Sequence, residues 1–141
     1  MPAIPVVPGF SVAAQLDPSE AKDLAAAGVK TIICNRPEGE VDPAPMRRAA
    51  EAAGLGFRYV PVISGGMTMD DVEEMGRALA ETEGPHVAYC RSGTRSVTVW
   101  ALAEAGRRSP DALIAAAAEA GYDLRPMRGA LEARATAARR A

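Results

Sequence analysis

Along the chain, short runs of β-branched and apolar residues alternate with longer stretches in which apolar positions recur at helical spacing. This alternation predicts an α/β fold with a mostly parallel sheet. The first extended run is Phe10 to Gln15. Asp17-Pro18-Ser19-Glu20 then opens a helix, with Pro early and acids in the first turn, and Gly28 closes it as a left-handed cap. Val29 to Cys34 reads as a buried strand, followed by the polar loop Asn35-Arg36-Pro37-Glu38-Gly39-Glu40. A second helix spans about Pro43 to Ala53 and stops at Gly54. Phe57 to Val62 is the next strand, giving way at Pro61 and Ser64-Gly65-Gly66 to a loop.

Thr68-Met69-Asp70-Asp71 has the arrangement of a capping box and starts a third helix that runs to about Glu83. Gly84-Pro85 turns the chain into the strand His86-Val87-Ala88-Tyr89, and helical spacing resumes from Ser96 to Ala105. Ser109-Pro110-Asp111 caps an Ala-rich helix ending at Gly121, and a last helix follows Pro126, with Gly129 weakening its start. No repeat, linker or low-complexity tail interrupts this order, so residues 1–141 are expected to form one domain.

Composition narrows the function classes. Ala dominates the apolar 48%, while Phe, Trp and Tyr reach only 4%, which fits small helices packed closely on a sheet. A net charge of -2 leaves no basic footprint for nucleic acid. The longest helical apolar run, Ala112 to Ala118, is too short for a membrane span. The N-terminus lacks the basic and apolar regions of a signal peptide. Two cysteines do not make a disulfide framework, and a reducing cytoplasm is the simplest location.

The chemistry is concentrated in Tyr89-Cys90-Arg91-Ser92-Gly93-Thr94-Arg95-Ser96. A thiol lies between a buried strand and a helix, in a loop whose backbone N–H groups can converge on one point as an anion nest. The helix N-terminus adds its positive end there. Gly93 permits a tight curl, and Arg95 can brace the loop or clamp an oxyanion. Such surroundings lower a thiol pKa and keep thiolate present at neutral pH. Cys90 and Arg95 are therefore the expected catalytic pair, with Arg91, Ser92, Gly93 and Thr94 contacting substrate and Arg36 greeting an anion from the next loop. For Arg36 an ion pair with Glu40 is the structural alternative.

The loop resembles that of rhodanese-type sulfurtransferases, with four residues between Cys and Arg. Tyrosine and dual-specificity phosphatases have five there, and usually His before the Cys. Here Tyr89 precedes Cys90, and position 96 is Ser. The wider chain resembles the bacterial beta-lactamase-hydrolase-like family, long called DUF442. The resemblance is carried by Ala14-Gln15-Leu16, Asn35 to Glu40, Pro61-Val62 and the Cys90 loop. It implies a dual-specificity-phosphatase-like fold, a sheet of four or five strands with flanking helices, and an activity described either as phosphatase or as sulfur transfer.

Loop length points first to a sulfurtransferase, because a narrower ring of N–H donors suits a persulfide better than a tetrahedral phosphoryl group. The substrate would be a small anion (thiosulfate or a persulfide) or a protein thiol. The alternative is a phosphatase that takes a phosphate ester through a phosphocysteine. That reaction calls for a general acid, for which Asp70 and Asp71 are the candidates, unless both serve only the helix cap. A third possibility is a non-catalytic module that binds a persulfide or another anion. None of these readings requires a metal or an organic cofactor. His86, the only histidine, lies four strand positions, or about 13 Å, before Cys90 and is too far for a Cys–His pair. One His and two separated Cys make a zinc site improbable. Cys34 is either a packed core thiol or a resolving partner for Cys90. Trp100 reads as core, and Arg139-Arg140 as a solvated helix end.

Overall fold

The computed structural model describes residues 3–140, and the side chains of Arg139 and Arg140 lie outside the described residues. Its centre is a five-stranded sheet in the order β1-β2-β5-β3-β4. The strands are β1 (Ala3–Val7), β2 (Phe10–Ala13), β3 (Thr31–Cys34), β4 (Gly56–Tyr59) and β5 (His86–Tyr89). All neighbours run parallel except β1, which pairs antiparallel with β2 at the edge. The α/β class and the mostly parallel sheet match the expectation from the sequence.

Period and position explain the elements. Residues of β3 and β5 are buried along their whole length, as strands covered on both faces must be. Ile33, Val12 and Ala88 face one side, against α3 (Met69–Glu81), α4 (Thr94–Glu104), α5 (Pro110–Glu119) and α6 (Arg128–Arg140). Ile32, Cys34, Val87 and Tyr89 face the other, against α1 (Ala21–Ala26) and α2 (Ala44–Ala52). Trp100 is 1% exposed and stacks on Phe10 with ring centroids 4.9 Å apart, so it is core as expected.

Local details depart from the sequence reading. The segment after Asp17 begins as a 3-10 turn, Pro18–Glu20, closed by a capping box in which Ser19 N–H donates to Asp17 Oδ1 at 2.9 Å; α1 follows as a short helix. The strand expected over Phe57 to Val62 ends at Tyr59, although Val60 and Val62 still donate to the Cys34 and Asn35 carbonyls at 2.9 and 3.0 Å. Strand β1 was not anticipated: Pro5 lies within it, and proline is tolerated there because the strand is an edge. No helix among the described residues is long and apolar enough to cross a membrane.

Candidate active site

Cys90 follows β5, the central strand, so its loop emerges where two parallel neighbours flank it. Open α/β sheets place ligands at this carboxyl edge. Both flanks hold the loop: Cys90 N–H donates to the Ala13 carbonyl at 3.3 Å, and Gln15 N–H to the Arg91 carbonyl at 3.3 Å. On the far side Asn35 N–H donates to the Tyr89 carbonyl at 2.8 Å.

The loop then curls over its own sulfur. Gly93, at φ +93°, is in the left-handed region and caps α4, an adaptation that glycine makes at least strain. Its N–H donates to Cys90 Sγ at 3.1 Å. Burial pushes the Cys90 thiol up, yet Ser96, chiefly through its backbone N–H, together with the N–H groups of Ser92 and Gly93, outweighs it and leaves the thiol below its ordinary value. The N-terminus of α4 points at the same place. Ser96, 0% exposed, also donates its hydroxyl to Asn35 Oδ1 at 2.7 Å, and Asn35 Nδ2 donates to the Val60 carbonyl at 2.9 Å.

Arg95 stands at the mouth. Its two terminal nitrogens donate to the two Glu40 carboxylate oxygens at 3.0 and 2.8 Å, and Nη1 also donates to the Val62 carbonyl at 2.9 Å. Arg36 Nε donates to Glu40 Oε1 at 3.2 Å, and Arg36 Nη1 to Gln15 Oε1 at 2.6 Å. The hydrogen bonds from Arg95, then those from Arg36, hold the Glu40 carboxyl below the usual carboxylate range. Arg36, Glu40, Ser64, Arg91, Ser92, Thr94 and Arg95 line a cleft of about 400 Å³. The structure thus brings together Cys90, Arg95, Arg91, Ser92, Gly93, Thr94 and Arg36; Arg36 makes the ion pair with Glu40 and lines the cleft.

It does not bring the two aspartates there. Asp71 accepts from Thr68 N–H at 2.9 Å and its own N–H donates to the Thr68 hydroxyl at 3.2 Å, the capping box of α3. Asp70 is exposed, and neither residue lines the cleft. His86 sits at the opposite end of β5, within 2.9 Å of the Thr82 hydroxyl. Cys34 is buried beside Tyr89 on the α1–α2 side, where burial pushes its thiol up. Among the described residues no three His, Cys, Asp or Glu side chains gather as metal ligands.

Three features escaped the sequence reading. Glu40 pairs with Arg95 as well as Arg36. Asn35 and Ser96 form a buried polar link under the loop, flagged only by a polar residue immediately after the apolar run Ile32-Ile33-Cys34. Tyr122, from the turn after α5, donates its hydroxyl to the Ser92 carbonyl at 2.9 Å, a contact that no local spacing announces.

Comparison with known proteins agrees with this architecture. A solved candidate phosphatase from Neisseria meningitidis Z2491 is 33% identical, with a TM-score of 0.80 over 95% of this chain and 99% of that one. Pseudomonas aeruginosa TpbA, solved in complex with phosphotyrosine, shares the fold at 16% identity, with a TM-score of 0.69 over 99% and 91% of the two chains. The beta-lactamase hydrolase-like protein of Xylella fastidiosa is 36% identical over 121 residues. That match covers 82% of this chain but only 28% of the relative, so the chain spans little more than a quarter of that protein. These likenesses stand with the phosphatase alternative, and none of the three proteins is described as a sulfurtransferase. Residues 4–107 match the phosphatase-like domain of beta-lactamase hydrolase-like proteins, and the chain belongs to that family.

Proposed function

We propose that this chain uses its phosphatase-like fold for sulfur transfer, with Cys90 as the nucleophile and Arg95 and the loop amides as anion stabilisers. The carrying observation is the state of the carboxylates. Glu40 is the one acid among the described residues lining the cleft, and it is ionised between two arginines. Hydrolysis of an alkyl or aryl phosphate needs a proton for its leaving oxygen, and among the described residues lining the cleft the single carboxyl is held in ion pairs. Sulfite or a thiolate leaves as a stable anion and needs none. The bidentate hold of Glu40 on Arg95 also spends part of the positive charge that a phosphate dianion beside a thiolate would require.

The steps balance simply. The Cys90 thiolate attacks the outer sulfur of thiosulfate; a Cys90 S–S bond forms, the S–S bond of thiosulfate breaks, and sulfite leaves with the electron pair. The Cys90 persulfide anion rests against the loop N–H groups. A thiolate or cyanide then takes the terminal sulfur, as a persulfide or thiocyanate, and returns Cys90 as thiolate.

A second reading has its own support. The fold is that of TpbA, which was solved with phosphotyrosine, and the same thiolate could form a phosphocysteine. Intact mass after brief exposure to thiosulfate separates the two. The expected result is a gain of about 32 Da on Cys90, lost on adding cyanide and absent from Cys90→Ser. A reactive Cys90 that takes no sulfur, together with Cys90-dependent turnover of an aryl phosphate, would refute sulfur transfer in favour of hydrolysis.

A further inference from the structure

The Ser92–Gly93 peptide is gripped at both ends. Its N–H, carried by Gly93, donates to Cys90 Sγ at 3.1 Å, and its carbonyl, carried by Ser92, accepts from the Tyr122 hydroxyl at 2.9 Å. In a planar trans peptide these two groups point in opposite directions, so fixing one fixes the other. We infer that Tyr122 is a positioning residue, which holds this peptide so that its N–H faces the Cys90 sulfur.

Four further observations support the assignment. The peptide adjoins Gly93, whose left-handed backbone leaves the unit free to rotate if nothing restrains it. A Cβ at position 93 would overlap the Tyr122 hydroxyl and ring, so the glycine is also the space in which the tyrosine sits. Tyr122 is itself aimed: Gly121, at φ +97°, reverses the chain after α5, and Tyr122 N–H donates back to the Ala117 carbonyl at 2.8 Å. Burial, followed by the nearby Cys90 charge, raises the Tyr122 phenol above its ordinary value, so the hydroxyl remains a donor while the thiol ionises.

This role rests on the reading that Cys90 reacts as a thiolate, whether it goes on to carry sulfur or phosphate. The test is the rate of Cys90 alkylation by iodoacetamide from pH 5 to 10, mapped by mass, in the wild-type chain and in Tyr122→Phe, with melting curves for both. Removing the hydroxyl should raise the titration midpoint by half a unit or more, which slows alkylation on the acid limb about threefold while the alkaline plateau is not lowered. Site-specific 3-fluorotyrosine at position 122, a stronger donor of the same shape, should move the midpoint down. A merely structural tyrosine would lower the melting temperature and leave both midpoints where they are. Unchanged midpoints would overturn the assignment. A wild-type Cys90 that titrates like a free thiol would defeat the functional reading as well, and the wild-type curve alone reveals it.

Discussion

The link beneath the loop makes a sharp quantitative test. Ser96 and Asn35 are both 0% exposed, and the serine hydroxyl donates to Asn35 Oδ1 at 2.7 Å. In Ser96→Ala the backbone and Cβ stay, water does not reach the site, and the asparagine carbonyl loses its donor. Nδ2 of Asn35 remains committed to the Val60 carbonyl at 2.9 Å, so the side chain cannot turn to recover a partner without breaking that bond. A lost hydrogen bond of about 1 kcal/mol net, with a buried acceptor left unpaired, puts the total near ~2 kcal/mol. For a chain of this size that is a drop of about 1.3 M in the urea midpoint, taking a slope of about 1.5 kcal/mol/M. Thr98→Ala is the control: its hydroxyl donates to the Thr94 carbonyl at 2.7 Å on the exposed side of α4, and its removal should change stability by less than about 0.5 kcal/mol. Equilibrium urea unfolding followed by circular dichroism measures both. A Ser96→Ala midpoint no lower than that of Thr98→Ala would refute the claim that this buried pair holds the loop to β3.

Two further outcomes follow from the loop. Gly28→Ala and Gly93→Ala both place a Cβ at positive φ, but position 28 is open whereas position 93 meets Tyr122. Gly28→Ala should cost about 1 kcal/mol and Gly93→Ala clearly more, with loss of Cys90 reactivity only in the latter; equal melting temperatures would contradict the packing argument. The Cys90 thiol is depressed in the folded chain, so thiolate stabilisation is complete above the unfolded thiol value of about 8.5 and is lost as pH falls through the lower folded value. The stability advantage of wild type over Cys90→Ala should therefore grow from pH 6 to pH 9 in urea unfolding, and a flat difference would show that the cradle does not favour the charged form.

The parts legible in the sequence were those written in local spacing. Short runs rich in β-branched and apolar residues marked β3 and β5, the Thr68–Asp71 box marked the start of α3, and the Cys-to-Arg loop marked the site. Strand β1 was hidden because the run of prolines at 2, 5 and 8 makes the sequence look like a coil, and the edge position of the strand is what makes Pro5 acceptable within it. At the site the same division holds. Arg36 and Glu40 are four apart on one loop and could be paired on sight, whereas Glu40 with Arg95 spans 55 positions and Tyr122 with Ser92 spans 30. Those contacts exist because the sheet order sets the loops of β3 and β5 side by side and α5 returns the chain over the same edge. Asp71, three residues after Thr68, could by spacing serve a cap or a reaction, and the fold shows it in the cap.

The stretch by which the family is recognised, residues 4–107, is shorter than the unit the site depends on. Leu113, Ala117, Leu131 and Ala135 share one buried cluster with Val12 and Ile33. A chain cut after residue 107 would therefore strip α5 and α6 from this cluster, leaving α3 and α4 to cover that side of the sheet alone, and would take away the hydroxyl that steadies the Ser92 carbonyl. The sequence signature and the working machine have different borders here, so a graft of this loop onto another scaffold must carry a helix and a tyrosine that the signature does not contain.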